Sequence, residues 1–213
     1  MTLSQHADAL AAASAARDAI LHEQERRKGG RFRAYFLDDG PFRRELYPRH
    51  CEFFGAGAEY RERAFIAGNR VGKTDAGSYE ITAHLTGQYP EWWTGRRFHA
   101  PIKAWACGDS SRTVRDIIQM KLVGPPGAYG TGMLPQETLI HRTAKPGTAD
   151  AIETVWVRHV TGGHSVLGFK SYAEGRESFQ GTAQEVVWFD EECDASIYTE
   201  ALMRTMSCDG IVF

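Results

Sequence analysis

Residues 67–74 read Ala-Gly-Asn-Arg-Val-Gly-Lys-Thr and follow the apolar run Ala64-Phe65-Ile66. This is the phosphate-loop pattern G-x-x-x-x-G-K-[ST] with Ala67 in the first Gly place. Each remaining part has a chemical task. Gly72 lets backbone N–H groups close around phosphate oxygens, where a Cβ would block the approach. Lys73 brings a point charge to β- and γ-phosphates. Thr74 offers a hydroxyl to Mg²⁺ and opens a helix whose N-terminus favours anions. Gly68, Asn69, Arg70 and Val71 complete the loop. A Gly-Lys-Thr triplet alone also suits an ordinary Gly-rich turn; its place between an apolar strand and a helix expected over 74–86 points to nucleotide.

A second motif supplies the complementary half of a Mg–nucleotide site. Glu185-Val-Val-Trp-Phe-Asp190-Glu191-Glu192 is an apolar run ending in acids. Buried parallel strands read as continuous apolar runs, and their C-terminal ends are where α/β sheets place ligands. In that position Asp190 would hold Mg²⁺ and Glu191 would polarise the water attacking the γ-phosphate. Glu192 is the alternative base, or a solvated turn acid. Taken alone, the run also fits a strand meeting a solvated turn.

The elements that must position these groups follow from periodicity and punctuation. Residues 3–28 predict a helix stopped by Gly29-Gly30, and residues 1–40 read as an N-terminal helical arm appended to a domain over 41–213. Strands are expected at 64–67, 102–107 and 185–190, and helices at 110–122 and 195–206. Residues 124–150, rich in Gly, Pro and Thr, read as loop. Residues 152–160 and 165–169 flank Gly162-Gly163 as a hairpin. The run Gly210-Ile-Val-Phe213 starts another strand, which suggests a fragment of something longer. The expected fold is α/β: a P-loop (RecA/ASCE-like) core with a central, mostly parallel sheet flanked by helices.

Bulk numbers bound the partners. The chain has 213 residues, 42% hydrophobic and 24% charged, enough for one sizeable domain with a substantial core. A net charge of −2 announces no nucleic-acid partner, which would need a local basic patch. Four scattered cysteines have no zinc spacing and suggest reduced thiols. His6, Asp8 and Arg17 in the Ala-rich N-terminus exclude a signal peptide or membrane span from that stretch.

The order of motifs resembles the N-terminal ATPase region of tailed-phage large terminases. The matching pieces are Tyr47-Pro48-Arg49-His50, Gly68 to Thr74, His84-Leu85-Thr86-Gly87 with Tyr89-Pro90 and Trp92-Trp93, Phe179-Gln180-Gly181, and Val187 to Glu192. They span roughly residues 40–213. The resemblance implies an ATPase using ATP and Mg²⁺ that drives double-stranded DNA into a capsid. It implies a homo-oligomeric ring on the portal protein, monomeric in isolation, that works with a small terminase subunit in the cytoplasm of an infected bacterial host. The resemblance further implies a second domain, a metal-dependent nuclease, and a coupling motif, both expected beyond Phe213, so nuclease activity is not expected of this fragment.

Two departures leave roles open. Where many terminases place a Gln that reads adenine, this chain has His50, which could bond a purine or simply a turn backbone. Where some place an Arg acting in trans on the neighbour's ATP, it has Gln180. Arg176, Arg112 and Arg115 are the trans-acting candidates, each of which reads first as an exposed helix or loop cation. Arg70, inside the loop as is typical of the family, would sense or clamp the γ-phosphate. Trp92 and Trp93 could stack on DNA bases or serve the core. Two other readings compete: another P-loop translocase or helicase, and a non-catalytic docking module, against which the intact Lys73, Thr74, Asp190 and Glu191 argue.

Overall fold

Successive side chains of strand β1 (Lys103–Gly108) point to opposite faces, and both faces are buried. Ala104 and Ala106 join one core cluster, Trp105 and Cys107 the other. Strand β5 (Val186–Phe189) repeats the division, Val186 and Trp188 against Val187. A strand apolar on both sides needs cover on both sides, and this dictates a layered α/β arrangement. The computed structural model describes residues 31–213 together with Ser14 and Arg17. Most of the helix expected over residues 3–28 lies outside the described residues.

Six strands form one sheet in the order β2-β3-β4-β1-β5-β6. The others are β2 (Leu139–Ala144), β3 (Ile152–Arg158), β4 (His164–Ser171) and β6 (Ile211–Val212). The pairs β1–β4, β1–β5 and β5–β6 are parallel, whereas β2–β3 and β3–β4 are antiparallel. The sheet is thus mixed, with its parallel half carrying the motifs. Helices α1 (Pro48–Ala56) and α2 (Lys73–Thr86) pack in the layer holding Phe54, Tyr79, Ile81 and Leu85. Helix α3 runs over residues 111–122, with a π-helical stretch Val114–Gln119 between two short α segments, and buries Val114, Ile118 and Leu122. Helix α4 (Ala195–Thr205) covers the opposite face through Ile197 and Ala201.

Three expectations are corrected. Residues 139–144, read as loop, form edge strand β2; its mostly exposed Leu-Ile-His-Arg-Thr-Ala has no apolar alternation to announce it. Residues 64–67, read as a strand, lie outside the ladder. Pairing of this lead-in occurs earlier, where Glu62 bridges Val212 in parallel, and Ile66 is 92% exposed. Phe65 instead packs on Phe53 and His50. Finally, residues 31–40, placed with the arm, enter the core: Phe32 stacks on Tyr79 at 4.5 Å and Phe36 meets the same ring edge-on at 4.8 Å.

One glycine sets the distance between the layers. An added Cβ on Gly77 of α2 would lie 2.5 Å from Trp188 Nε1 and 2.7 Å from Cζ2. Only the missing side chain lets α2 lie directly on β5. Among the described residues no helix is long and apolar enough to cross a membrane, and all four cysteines are free thiols.

Candidate functional site

The lead-in segment, β6, β5 and β1 are mutually parallel, so residues 67–72, Asp190 and the start of α3 emerge on one edge of the sheet. That carboxyl edge is the ligand-binding edge of open α/β sheets. Residues 67–71 are exposed. The loop closes through two left-handed residues, Arg70 at φ 62° and Gly72 at φ 87°. For Arg70 this conformation costs about 1–2 kcal/mol. At Gly72 a side chain is disfavoured by the left-handed φ, and a Cβ there would also stand a tight 3.3 Å from His50 Nε2.

Lys73 is the first residue of α2, and its Nζ donates to the carbonyls of Ala67 (2.8 Å) and Gly68 (2.9 Å). The ammonium therefore sits across the loop it belongs to. It has three donors, so one remains for an anion. The N-terminal turn of the 14-residue helix adds its partial positive charge at the same place.

Thr74 and Asp190 are 116 positions apart in sequence, yet Thr74 Oγ1 donates to Asp190 Oδ2 at 3.3 Å. The Asp190 amide donates to Cys107 O at 3.0 Å, which pins the strand-end residue to β1. Burial pushes the Asp190 carboxyl up to about 6, against the Thr74 hydrogen bond, which lowers it; the neighbouring Glu191 adds to the rise and Lys73 opposes it. A hydroxyl and a half-buried carboxylate are hard oxygen donors. With phosphate oxygens they suit Mg²⁺, which takes few protein ligands. Among the described residues no cluster of three or more His, Cys, Asp or Glu offers an all-protein metal cage.

Glu191 and Glu192 are both exposed beyond Asp190. The Glu191 carbonyl accepts from Tyr172 Oη at 3.0 Å, so a tyrosine from the turn after β4 fixes the backbone that carries it. Sequence reasoning missed Tyr172, and no spacing connects it to Glu191. His50 lies on α1, buried against the backbone of Val71 and Gly72; burial lowers its pKa. Beside it opens a groove of about 710 Å³ lined by Leu46, Tyr47, Phe53, Phe65, Ile66 and Val71.

The arginine candidates separate by environment. Arg115 pairs with Asp116 at 2.6 Å and donates to Ala149 O. Arg176 is 56% exposed and 3.9 Å from Glu200. Arg112 is exposed on the first turn of α3. Trp93 is buried in the main core, its Nε1 donating to Arg96 O, and Trp92 packs against that core.

Residues 64–211 match the family model for the terminase large subunit, T4likevirus-type, N-terminal. The chain belongs to the terminase large-subunit family. It is 36% identical over 179 residues to the large subunit of the terminase of Salmonella phage P22, covering 75% of this chain and 36% of that relative. This terminase chain thus spans about a third of the curated relative's length. Among solved structures, two crystal forms of the large terminase from a thermophilic bacteriophage, one in complex with ADP, align with TM-score 0.47 and 15% identity, over 68% of this chain and 31% of theirs.

Proposed function

We propose that residues 31–213 are the ATPase module of a phage DNA-packaging motor, hydrolysing ATP to drive double-stranded DNA into a capsid. The observation that carries this is the meeting of Lys73, Thr74 and Asp190 on one sheet edge, across 116 positions of sequence. The strand order supports a P-loop core of the RecA/ASCE kind. The lead-in to the phosphate loop lies beside β6, and β6 separates it from the acidic strand β5. Family membership favours packaging over a helicase.

In this reading the amides of residues 68–72 and the Lys73 ammonium bind the β- and γ-phosphates. Thr74 and Asp190 would hold Mg²⁺, which would supply neutralisation of the phosphate charge. Glu191 accepts a proton from the attacking water, with Tyr172 holding its backbone in place. Arg70 reaches toward the γ-phosphate from its left-handed position. The apolar groove beside His50 takes the base, and His50 supports the loop backbone or bonds the purine. The portal protein, a small subunit, a ring of copies and the infected host cytoplasm belong to the same proposal. Calorimetry tests it directly: the chain binds ATP with Mg²⁺, and Lys73→Ala abolishes binding. A variant that bound ATP as well as the parent would move the nucleotide elsewhere.

A further inference from the structure

Arg63 and Glu80 form a buried ion pair across the two flanks of the phosphate loop. Arg63 lies in the segment that leads into residues 67–72, and Glu80 in the middle of the helix that leads out. Their side chains are 4% and 0% exposed. The contact is a fork: Nη2 to Oε1 at 2.6 Å and Nη1 to Oε2 at 3.3 Å. Nη1 also donates to Phe53 O of α1 at 2.7 Å. The guanidinium lies against the rings of Phe53 (4.7 Å) and Phe213 (5.3 Å), while the Arg63 amide donates to Val212 O of β6. One residue therefore ties α1, α2 and the β6 edge together, its side chain holding the two helices and its amide the strand.

Glu80 has a second partner. His84 Nε2 stands 3.3 Å from Oε1, and His84 Nδ1 faces Tyr89 Oη at 3.0 Å. Tyr89 Oη in turn accepts from the Phe98 amide at 2.8 Å. Burial keeps the His84 pKa low. In the neutral ring Nε2–H donates to Glu80 and Nδ1 accepts from Tyr89. The network then carries one positive and one negative charge, both inside the core.

Stability does not account for such a pair, because desolvation cancels most of its attraction and apolar side chains of the same volume often do as well. What a fork does, and apolar packing does not, is fix two segments in direction and register. The lead-in needs such an anchor. Its sheet pairing stops at the Glu62–Val212 bridge, and residues 64–67 run on without ladder partners to the carbonyls that hold Lys73. We infer that Arg63 and Glu80 are positioning residues for the phosphate loop, setting the separation of its two flanks and so the placement of Lys73 against the phosphates. The inference rests on the reading of this loop as the ATP site.

The test measures ATP affinity with Mg²⁺ and thermal stability on the same proteins. In R63M/E80M both charges are replaced by apolar side chains; the expected result is a melting temperature near that of the parent and at least tenfold weaker ATP binding. Arg63→Lys, which keeps the charge but cannot form the fork, should lose affinity in the same direction. Val155→Ala, in β3 and away from the loop, supplies a control that loses stability alone. ATP binding by R63M/E80M within twofold of the parent would overturn the inference. If that variant does not fold, Arg63→Lys and Glu80→Gln decide: affinity lost beyond the Val155→Ala control supports positioning, and affinity equal to the control overturns it. A parent chain that binds no ATP would instead overturn the site reading on which the inference stands.

Discussion

Replacing Gly77 by Ala probes how closely helix α2 is fitted to the acidic strand. In an exposed helix interior this change stabilises by about 1 kcal/mol, since Ala has the higher propensity and the less flexible unfolded chain. In α2 the added Cβ would stand 2.5 Å from Trp188 Nε1 and 2.7 Å from Cζ2, where ordinary contact begins at 3.4 Å. The helix and the indole must therefore part by up to about 1 Å. Trp188 is 3% exposed and enclosed by the main core, so its ring has no solvent to swing into. Overpacking of this kind costs about 1–3 kcal/mol. A rigid ring belongs at the upper end, and subtracting the propensity gain leaves a net loss of about 1–2 kcal/mol. For a domain of this size that lowers the melting temperature by roughly 2–8 °C. The same displacement reaches the site, because Gly77 follows Thr74 by one helical turn and Trp188 shortly precedes Asp190. The 3.3 Å contact between Thr74 and Asp190 should open, weakening ATP binding more with Mg²⁺ than without it. Circular-dichroism melting and calorimetry with and without Mg²⁺ measure both effects. A melting temperature equal to or above that of the parent would refute the close-approach argument.

Glu191→Gln should keep ATP binding and lower turnover by about 10²–10⁴, while Glu192→Gln changes little; the reverse pattern in single-turnover assays would move the base to Glu192. Asp190 holds its proton more tightly folded than unfolded, because burial raises its pKa from 3.8 to about 6. Its contribution to stability is therefore fully present below about pH 4 and lost as pH rises through about 6. Asp190→Asn should flatten that part of the melting profile, stabilise the chain at pH 7 by up to about 2–3 kcal/mol and remove most of the Mg²⁺ dependence of ATP binding; an unchanged pH profile would contradict the buried carboxylate. Parent affinity for Mg–ATP should weaken below pH 6, as protons compete for the same oxygen. Lastly, dilute monomeric chain should turn over ATP about 10³–10⁵ more slowly than the ring-assembled motor, if an arginine acts across the interface; equal rates would exclude trans-activation, and replacing Arg112, Arg115 and Arg176 singly in the assembled motor would identify the donor.

Several parts of the molecule were legible because their signal is local. The loop over 67–74 needs particular residue types at fixed neighbouring positions. The strand over 186–189 is a continuous apolar run buried on both faces, the hairpin strands flank Gly162-Gly163, and helix α2 follows directly on the loop motif. The resemblance carried by the order of these motifs reached the right family. Edge strand β2 escaped because one row of backbone pairing with β3 demands little of its side chains. The lead-in at 64–66 misled for the converse reason: its apolar residues serve a groove and His50 rather than a sheet face. What only the tertiary structure decided are the meetings between distant segments, including Thr74 with Asp190, Gly77 with Trp188, Arg63 with Glu80, and Phe32 with Tyr79. Composition and periodicity report the average surroundings of a residue. Which partner fills those surroundings depends on the order of parallel strands across the sheet, and that order is set by crossovers spanning most of the chain.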